Sequence, residues 1–260
     1  MAYLSVIIPL FNKEKNIVNT LTSVCNQTYT DFEVIIVNDG STDASIKNIS
    51  VINDDRIQLF SKKNEGVSIA RNFGAEKAIS NYIVFLDADD YWHPNHLNNL
   101  FELINAFPNH LWFASAYEKK RNKQLTTKMD SPILEKGKHW IGEVDEFFRY
   151  CFKDSLVNSS SVCFKKDFFN SLNGFDAFTT HTEDIDLWIR AALKSPLVFS
   201  NKITARHNLD ASNRSSIKQL QERNYIDFDK FIKDENKNSS LKKYLDLNRY
   251  SLAIIYKLHG

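Results

Sequence analysis

Three acids, Asp87, Asp89 and Asp90, end the short apolar run Tyr82-Ile83-Val84-Phe85-Leu86. The run reads as a strand buried on both faces, as in a parallel sheet. Ligands collect beyond the carboxyl ends of strands in open α/β sheets. In extended backbone Asp87 and Asp89 share one face. Two carboxylates so placed repel each other unless a cation lies between them. Mg2+ and Mn2+ take oxygen ligands, often one or two carboxylates together with substrate phosphates. The predicted chemistry is therefore a metal that holds a nucleotide diphosphate. The simpler alternative is that the acids solvate a turn or cap the next helix.

Two further acidic groups stand out. Asp39 lies in Asn38-Asp39-Gly40-Ser41-Thr42-Asp43, a polar cluster closing the apolar run Phe32 to Val37. Glu183, Asp184 and Asp186 follow Thr182 and precede Trp188. Thr182 reads as a helix N-cap, and acids in the first turn suit the helix dipole.

The elements that must position these residues alternate. Leu4 to Ile8 reads as a strand stopped by Pro9, and Ile17, Leu21 and Val24 as a helix with Asn12 as its cap. Strands are expected at Phe32 to Val37 and Ile57 to Phe60, and a helix from Glu65-Gly66 through Ala78 that carries Arg71. This β-α-β order implies a mostly parallel, doubly wound sheet flanked by helices. Beyond Asp90, a helix begins at His93-Pro94, followed by a strand at Leu111 to Tyr117 and a basic hairpin or loop over the site at Glu118 to Lys138. Further expectations are a helix at Val144 to Phe152, a strand at Asn158 to Phe164 and a strand at Ile203 to His207. Beyond Ser215 the pattern is helical, broken at Lys233 to Ser240.

Composition narrows the class. The chain has 260 residues, a net charge of +1 and 43% hydrophobic residues. Near-neutral charge argues against a nucleic-acid partner. Three scattered cysteines without CxxC spacing suit reduced thiols, and no run reaches the ~20 apolar residues of a membrane span. The N-terminus lacks a signal-peptide pattern, so the expected location is cytoplasmic or peripheral at the inner face of the membrane. GxGxxG and GxxxxGK[ST] are absent after the first strand, which argues against a redox Rossmann enzyme and a P-loop NTPase.

Five stretches, taken in order, resemble one family. They are Val6 to Asn12, Val37 to Asp43, Asn64 to Asn72, Phe85 to Asp90, and Gly174-Phe175-Asp176 with Glu183 to Trp188. Together they cover the first four-fifths of the chain and resemble a family 2 inverting glycosyltransferase with a GT-A fold, of the bacterial surface-polysaccharide type. The resemblance implies that Pro9, Phe11 and Asn12 border the nucleotide pocket and that Asp39 accepts a hydrogen bond from uracil. Arg71 would lie near the base or diphosphate, and Asp87 would face the ribose or sugar. Asp89 would bind Mn2+ or Mg2+, with His207 as a further metal or phosphate ligand. Asp184 would be the catalytic base. Where the family pattern often has two glycines before Phe-Asp, Asn173 precedes Gly174 here.

The activity implied is transfer of a hexosyl or N-acetylhexosaminyl group from a UDP-sugar to a saccharide or lipid-linked acceptor. The implied division is a GT-A domain at 1–212, with a nucleotide-sugar half at 1–117 and an acceptor half at 118–212, then a helical extension at 213–260. The segment Tyr244 to Leu258 mixes leucines and isoleucines with Lys257 and Arg249. It suits a membrane face, packing on the main domain, or a homodimer through the C-terminal helices. A sugar-phosphate nucleotidyltransferase and a non-catalytic sugar-nucleotide binder are the competing readings. The first would want a glycine-rich, arginine-bearing loop where Pro9-Leu10-Phe11-Asn12 stands.

Overall fold

The structure is a computed structural model that describes residues 3–121, 125–211 and 224–259. The first half alternates as expected: β1 (Leu4–Leu10), α1 (Ile17–Cys25), β2 (Phe32–Asp39), α2 (Ser45–Ile49), β3 (Ile57–Lys62), α3 (Val67–Lys77) and β4 (Tyr82–Phe85). The middle follows with β5 (Tyr91–Trp92), α4 (His96–Ala106), β6 (Trp112–Arg121), β7 (Leu125–Lys128), β8 (Ile141–Val144), α5 (Phe147–Tyr150), β9 (Val162–Lys165) and α6 (Lys166–Ser171). The chain ends with α7 (Glu183–Lys194), β10 (Leu197–Asn208), α8 (Ile232–Glu235) and α9 (Ser239–His259).

Among the described residues one ten-stranded sheet runs β3-β2-β1-β4-β9-β6-β10-β5, with β7 beside β6 and β8 beside β10. β3, β2, β1 and β4 are parallel, and so are β6 and β10. β9 is inserted antiparallel between β4 and β6. The chain moves outward from β1 through β2 to β3, then returns to place β4 on the other side of β1. That reversal is the switch point at which open sheets leave a crevice.

Local chemistry explains this frame. Every residue of β1 and β2 is buried, which requires apolar, β-branched sequence on both faces. Pro9 is part of β1 rather than its stop. The Ile7 carbonyl accepts Leu86 N–H on the β4 side. Pro9, two residues on, faces the same side, where β4 has already ended, so its missing N–H costs no ladder bond. α3 lies so close to β1 that a Cβ on Gly74 would stand 2.4 Å from Ile7 Cγ2. Trp112, Phe164 and Trp188 stack through the core, with centroids 5.7 and 5.9 Å apart. Leu241, Tyr244 and Leu245 of α9 are buried, and Tyr244 packs on Phe148.

Several local expectations change. Asn12 does not cap α1, because the helix starts at Ile17 with Asn16 at the cap position. Asn12 instead adopts φ 51° and accepts Thr42 N–H at 2.8 Å, tying the loop after β1 to the loop after β2. The helix expected from His93 starts at His96, after the two-residue strand β5. Val144 ends strand β8, leaving one turn of helix at Phe147–Tyr150. β10 starts at Leu197, not Ile203, because Pro196 separates it from α7. Glu118 to Lys138 forms a hairpin whose described residues do not reach the site cavity. Lys123 lies outside the described residues, as do residues 215–223 of the expected C-terminal helices and the 212/213 boundary. Residues 224–227 are extended.

Candidate active site

A cavity of about 340 Å³ opens at the switch point, beyond the carboxyl ends of β1, β2 and β4. Pro9, Phe11, Asp39, Arg71, Asp87, Asp89, Asp184 and His207 all line it. Asn12 does not, since its amide is spent on Thr42.

The acidic triplet is a turn. The strand ends at Phe85, and Asp90 N–H donates to the Asp87 carbonyl at 3.0 Å. Asp87 and Asp89 therefore do not sit as neighbours on one strand face. Each carboxylate has its own cation. Arg71 Nη2 donates to Asp87 Oδ1 at 2.7 Å, and Lys13 Nζ to Asp89 Oδ2 at 2.7 Å. Burial pushes the Asp87 carboxyl up, but the cationic groups around it, Arg71 foremost, together hold it below the usual carboxylate range.

Asp90 is structural. It is 1% exposed, accepts Ser160 Oγ at 2.5 Å and accepts Asn208 N–H at 2.8 Å. These bonds fasten the turn to β10 and so position the neighbouring His207 on the cavity wall. Burial pushes the Asp90 carboxyl up to about 7.

Lys13 was not singled out from sequence. Its signal was a lysine three residues past the end of β1, in the loop where a phosphate would approach. The backbone N–H of Lys13 donates to Ser45 Oγ at 2.8 Å, which fixes that loop.

Asp39 is 3% exposed and holds the start of α3. Its carboxylate accepts Glu65 N–H at 3.0 Å, Gly66 N–H at 2.8 Å and Lys62 Nζ at 3.0 Å. A carboxylate has about four acceptor positions, so one remains for a ligand donor.

Arg71 joins the two acidic groups. Its side chain is 4% exposed, and Nη1 reaches Glu183 Oε1 at 3.0 Å while Nη2 reaches Asp87. Thr182, before α7, holds φ 67°, a costly conformation for a β-branched residue. Its side chain gives α7 no cap; the hydroxyl accepts Ile226 N–H at 3.2 Å instead. In the first turn, Glu183 is taken by Arg71. Asp186, fully buried, is paired with Arg190 and Lys230 at 2.5 Å each. Asp184 Oδ1 accepts Ile185 N–H at 2.8 Å, and its Oδ2 meets no donor among the described residues. Burial raises the Asp184 carboxyl above its ordinary value, with a smaller push from Asp87. Burial, then Asp184, raises Glu183 to about 7.

The departure at Asn173 has a structural answer. Asn173 and Gly174 both lie in the left-handed region, at φ 60° and 62°. Asparagine is among the residues that tolerate it, so it serves here where a glycine is usual.

The donor set can be tested against a divalent ion. Six carboxylates and two permanent cations line the cavity. A diphosphate entering that excess of acid needs a cation with it. No group of three His, Cys, Asp or Glu side chains among the described residues forms a metal cage. Asp89 and His207 both line the cavity, and a carboxylate with an imidazole suits an ion that takes its remaining ligands from a diphosphate.

A central sheet with a switch-point cavity, an acidic turn after β4 and an acidic helix start define the GT-A class of α/β domain. The family model for "Glycosyl transferase family 2" matches residues 5–165, more than half of the chain, and the chain belongs to that family. It is 27% identical to a chondroitin synthase of Escherichia coli over 92% of its own length and 33% of that protein. It is 47% identical to a glycosyltransferase of Rickettsia bellii over 37% of its length, a stretch covering 14% of that relative. Among solved structures it is similar to S. aureus TarS in complex with UDP-GlcNAc, with TM-score 0.69 and 18% identity over 88% of this chain and 63% of that one. A Pyrobaculum calidifontis mannosyltransferase in complex with GDP-Man and Mn2+ gives TM-score 0.59 and 19% identity, over 78% of this chain and 56% of that one.

Proposed function

We propose that the protein transfers a sugar from a UDP-sugar to a hydroxyl of a saccharide or lipid-linked saccharide, with inversion, in building a bacterial surface polysaccharide. The observation that carries this reading is the meeting of the acidic turn, Asp39, Arg71 and Asp184 around one cavity. The TarS structure in complex with UDP-GlcNAc and the mannosyltransferase in complex with GDP-Man support a sugar nucleotide as donor. The loop after β1 lacks the glycine-rich triphosphate cradle of a nucleotidyltransferase.

Asp184 takes the proton of the acceptor hydroxyl through Oδ2 as that oxygen attacks the anomeric carbon. Attack from the face opposite the diphosphate inverts the centre, and the diphosphate leaves with the bonding electrons. Lys13 meets part of the negative charge on that leaving group. A divalent cation, Mn2+ or Mg2+, held by Asp89 and His207 would neutralise the rest. No acid is needed, so one base is enough, unlike the carboxylate pair of a glycosidase. Arg71 keeps Asp87 ionised and Glu183 turned away from the acceptor.

Calorimetry tests the donor side. UDP is expected to bind more tightly than CDP, because the free acceptor position on Asp39 suits an imide N–H and cytosine has none, and to bind more tightly with Mn2+ than in EDTA. Equal affinities for UDP and CDP would remove Asp39 as the reader of the base. Equal UDP affinity in EDTA would remove the cation from the site.

The base gives a pH signature. A carboxylate base works only when deprotonated, so turnover falls as pH drops through its pKa. Since burial raises Asp184, the acid limb should lie above the ordinary value near ~4. A limb at or below that value would contradict Asp184 as the base. The location at the inner membrane face and pairing through α9 remain part of this proposal. No helix among the described residues is long and apolar enough to cross a membrane.

A further inference from the structure

A second depression opens beside the donor cavity, and Thr179 lines both. Its walls are the 176–179 loop, residues 224–227 and the end of α9. We infer that this groove binds the sugar rings of a saccharide acceptor next to the one that reacts. The inference rests on the transfer reading above.

Phe178 is 86% exposed. It is held there, because Asp176 accepts Phe178 N–H at 3.0 Å and the Thr179 hydroxyl at 2.7 Å. A large ring kept in water by a fixed turn is a surface waiting for a flat, partly apolar ligand. Tyr225 and Tyr256 supply two more rings, 5.9 Å apart and edge to face. Asp176, Asn224 and Asp227 interleave carboxylate and amide groups with these rings. A pyranose has an apolar C–H face bordered by hydroxyls. Rings take the face, while carboxylates and amides take the hydroxyls. An acyl chain would leave the acids unserved. A strongly anionic ligand would face Asp176 and Asp227, since Lys230 is already paired with Asp186.

The groove is also tied to the base. The Asn224 carbonyl accepts Thr180 N–H at 2.9 Å and His181 N–H at 3.0 Å. Asn224 N–H donates to Thr180 Oγ1 at 2.9 Å, and Ile226 N–H to Thr182 Oγ1. Residues 224–226 thus run beside 180–182, and Asp184 follows two positions later. A chain of sugars can place its terminal hydroxyl at Asp184 while the next ring rests on Phe178, Tyr225 and Tyr256.

Saturation-transfer NMR with cellotetraose, maltotetraose and chitotetraose, in the presence of UDP and Mn2+, tests this. The wild type is expected to saturate the ring protons of at least one tetrasaccharide. The Phe178→Ala/Tyr256→Ala variant should weaken that signal by about tenfold, and Phe178→Trp should keep it. UDP affinity by calorimetry should stay within about twofold in both variants, which also reports that they fold. The proposal is overturned if no tetrasaccharide binds the wild type, or if the double variant binds as well. It is overturned too if sedimentation shows a wild-type dimer that the double variant dissolves, because the groove then joins two copies. Failure of the wild type to bind UDP would instead overturn the transfer reading.

Discussion

Asp184→Asn is expected to lower turnover by about 10²–10⁴-fold, the usual worth of a general base, with UDP affinity unchanged. Asparagine keeps the shape and the Ile185 contact but cannot take a proton. The three acids of α7 are not equivalent candidates. Glu183 is held by Arg71 at 3.0 Å, and Asp186 is fully buried between Arg190 and Lys230. Asp184 alone of the three makes no ion pair among the described residues, so its carboxylate is not committed to a cation. Steady-state turnover with calorimetry of UDP separates the steps. Wild-type turnover in Asp184→Asn would move the base to Glu183. Loss of UDP binding would place the start of α7 in the donor site and defeat the mechanism.

The sheet and the acidic turn were legible because their signals are local. β1, β2 and β4 are apolar runs bounded by polar turns, and Asp39 and Asp87 close two of them. Burial on both faces forces that pattern, so sequence displays it directly. What escaped was conformation within a motif and pairing across the chain. Extended backbone through Asp89 was a reasonable expectation, but the Asp90-to-Asp87 turn bond sends the two carboxylates to different cations. Lys13 and Asp89 are 76 residues apart in sequence, and no periodicity reports such a pair. Asn12 has the chemistry of a cap. The loop after β2 needed the same amide more, and Asn16 stands at the cap position without a side-chain bond. β5 and β8 are short, and an edge strand of two to four residues carries too little pattern to register.

Arg71→Met is expected to cost about 3–5 kcal/mol of stability near neutral pH, the range for leaving a buried charge without its partner. For a chain of this size that is a fall of about 10 °C in Tm. The guanidinium lies over the Phe175 ring at 4.9 Å and serves Asp87 and Glu183 together. Methionine replaces the packing and leaves both carboxylates unpaired. The pH dependence has a definite sign. Without Arg71 the folded pKa of each carboxyl rises above its unfolded value near ~4. The folded state then binds more protons than the unfolded one above that pH, so stability falls as pH rises until the folded pKa is passed. Glu183 already reaches about 7 with Arg71 present, so the deficit should grow through that range. Thermal denaturation at pH 4.5 and pH 7.5 should therefore show a small loss at the lower pH and the full loss at the higher. Arg71→Met combined with Asp87→Asn and Glu183→Gln should recover most of it, because the charges needing a partner are gone. An equal deficit at both pH values, or no recovery in the triple variant, would mean that Arg71 acts through packing on Phe175 and not by joining the acidic turn to the start of α7.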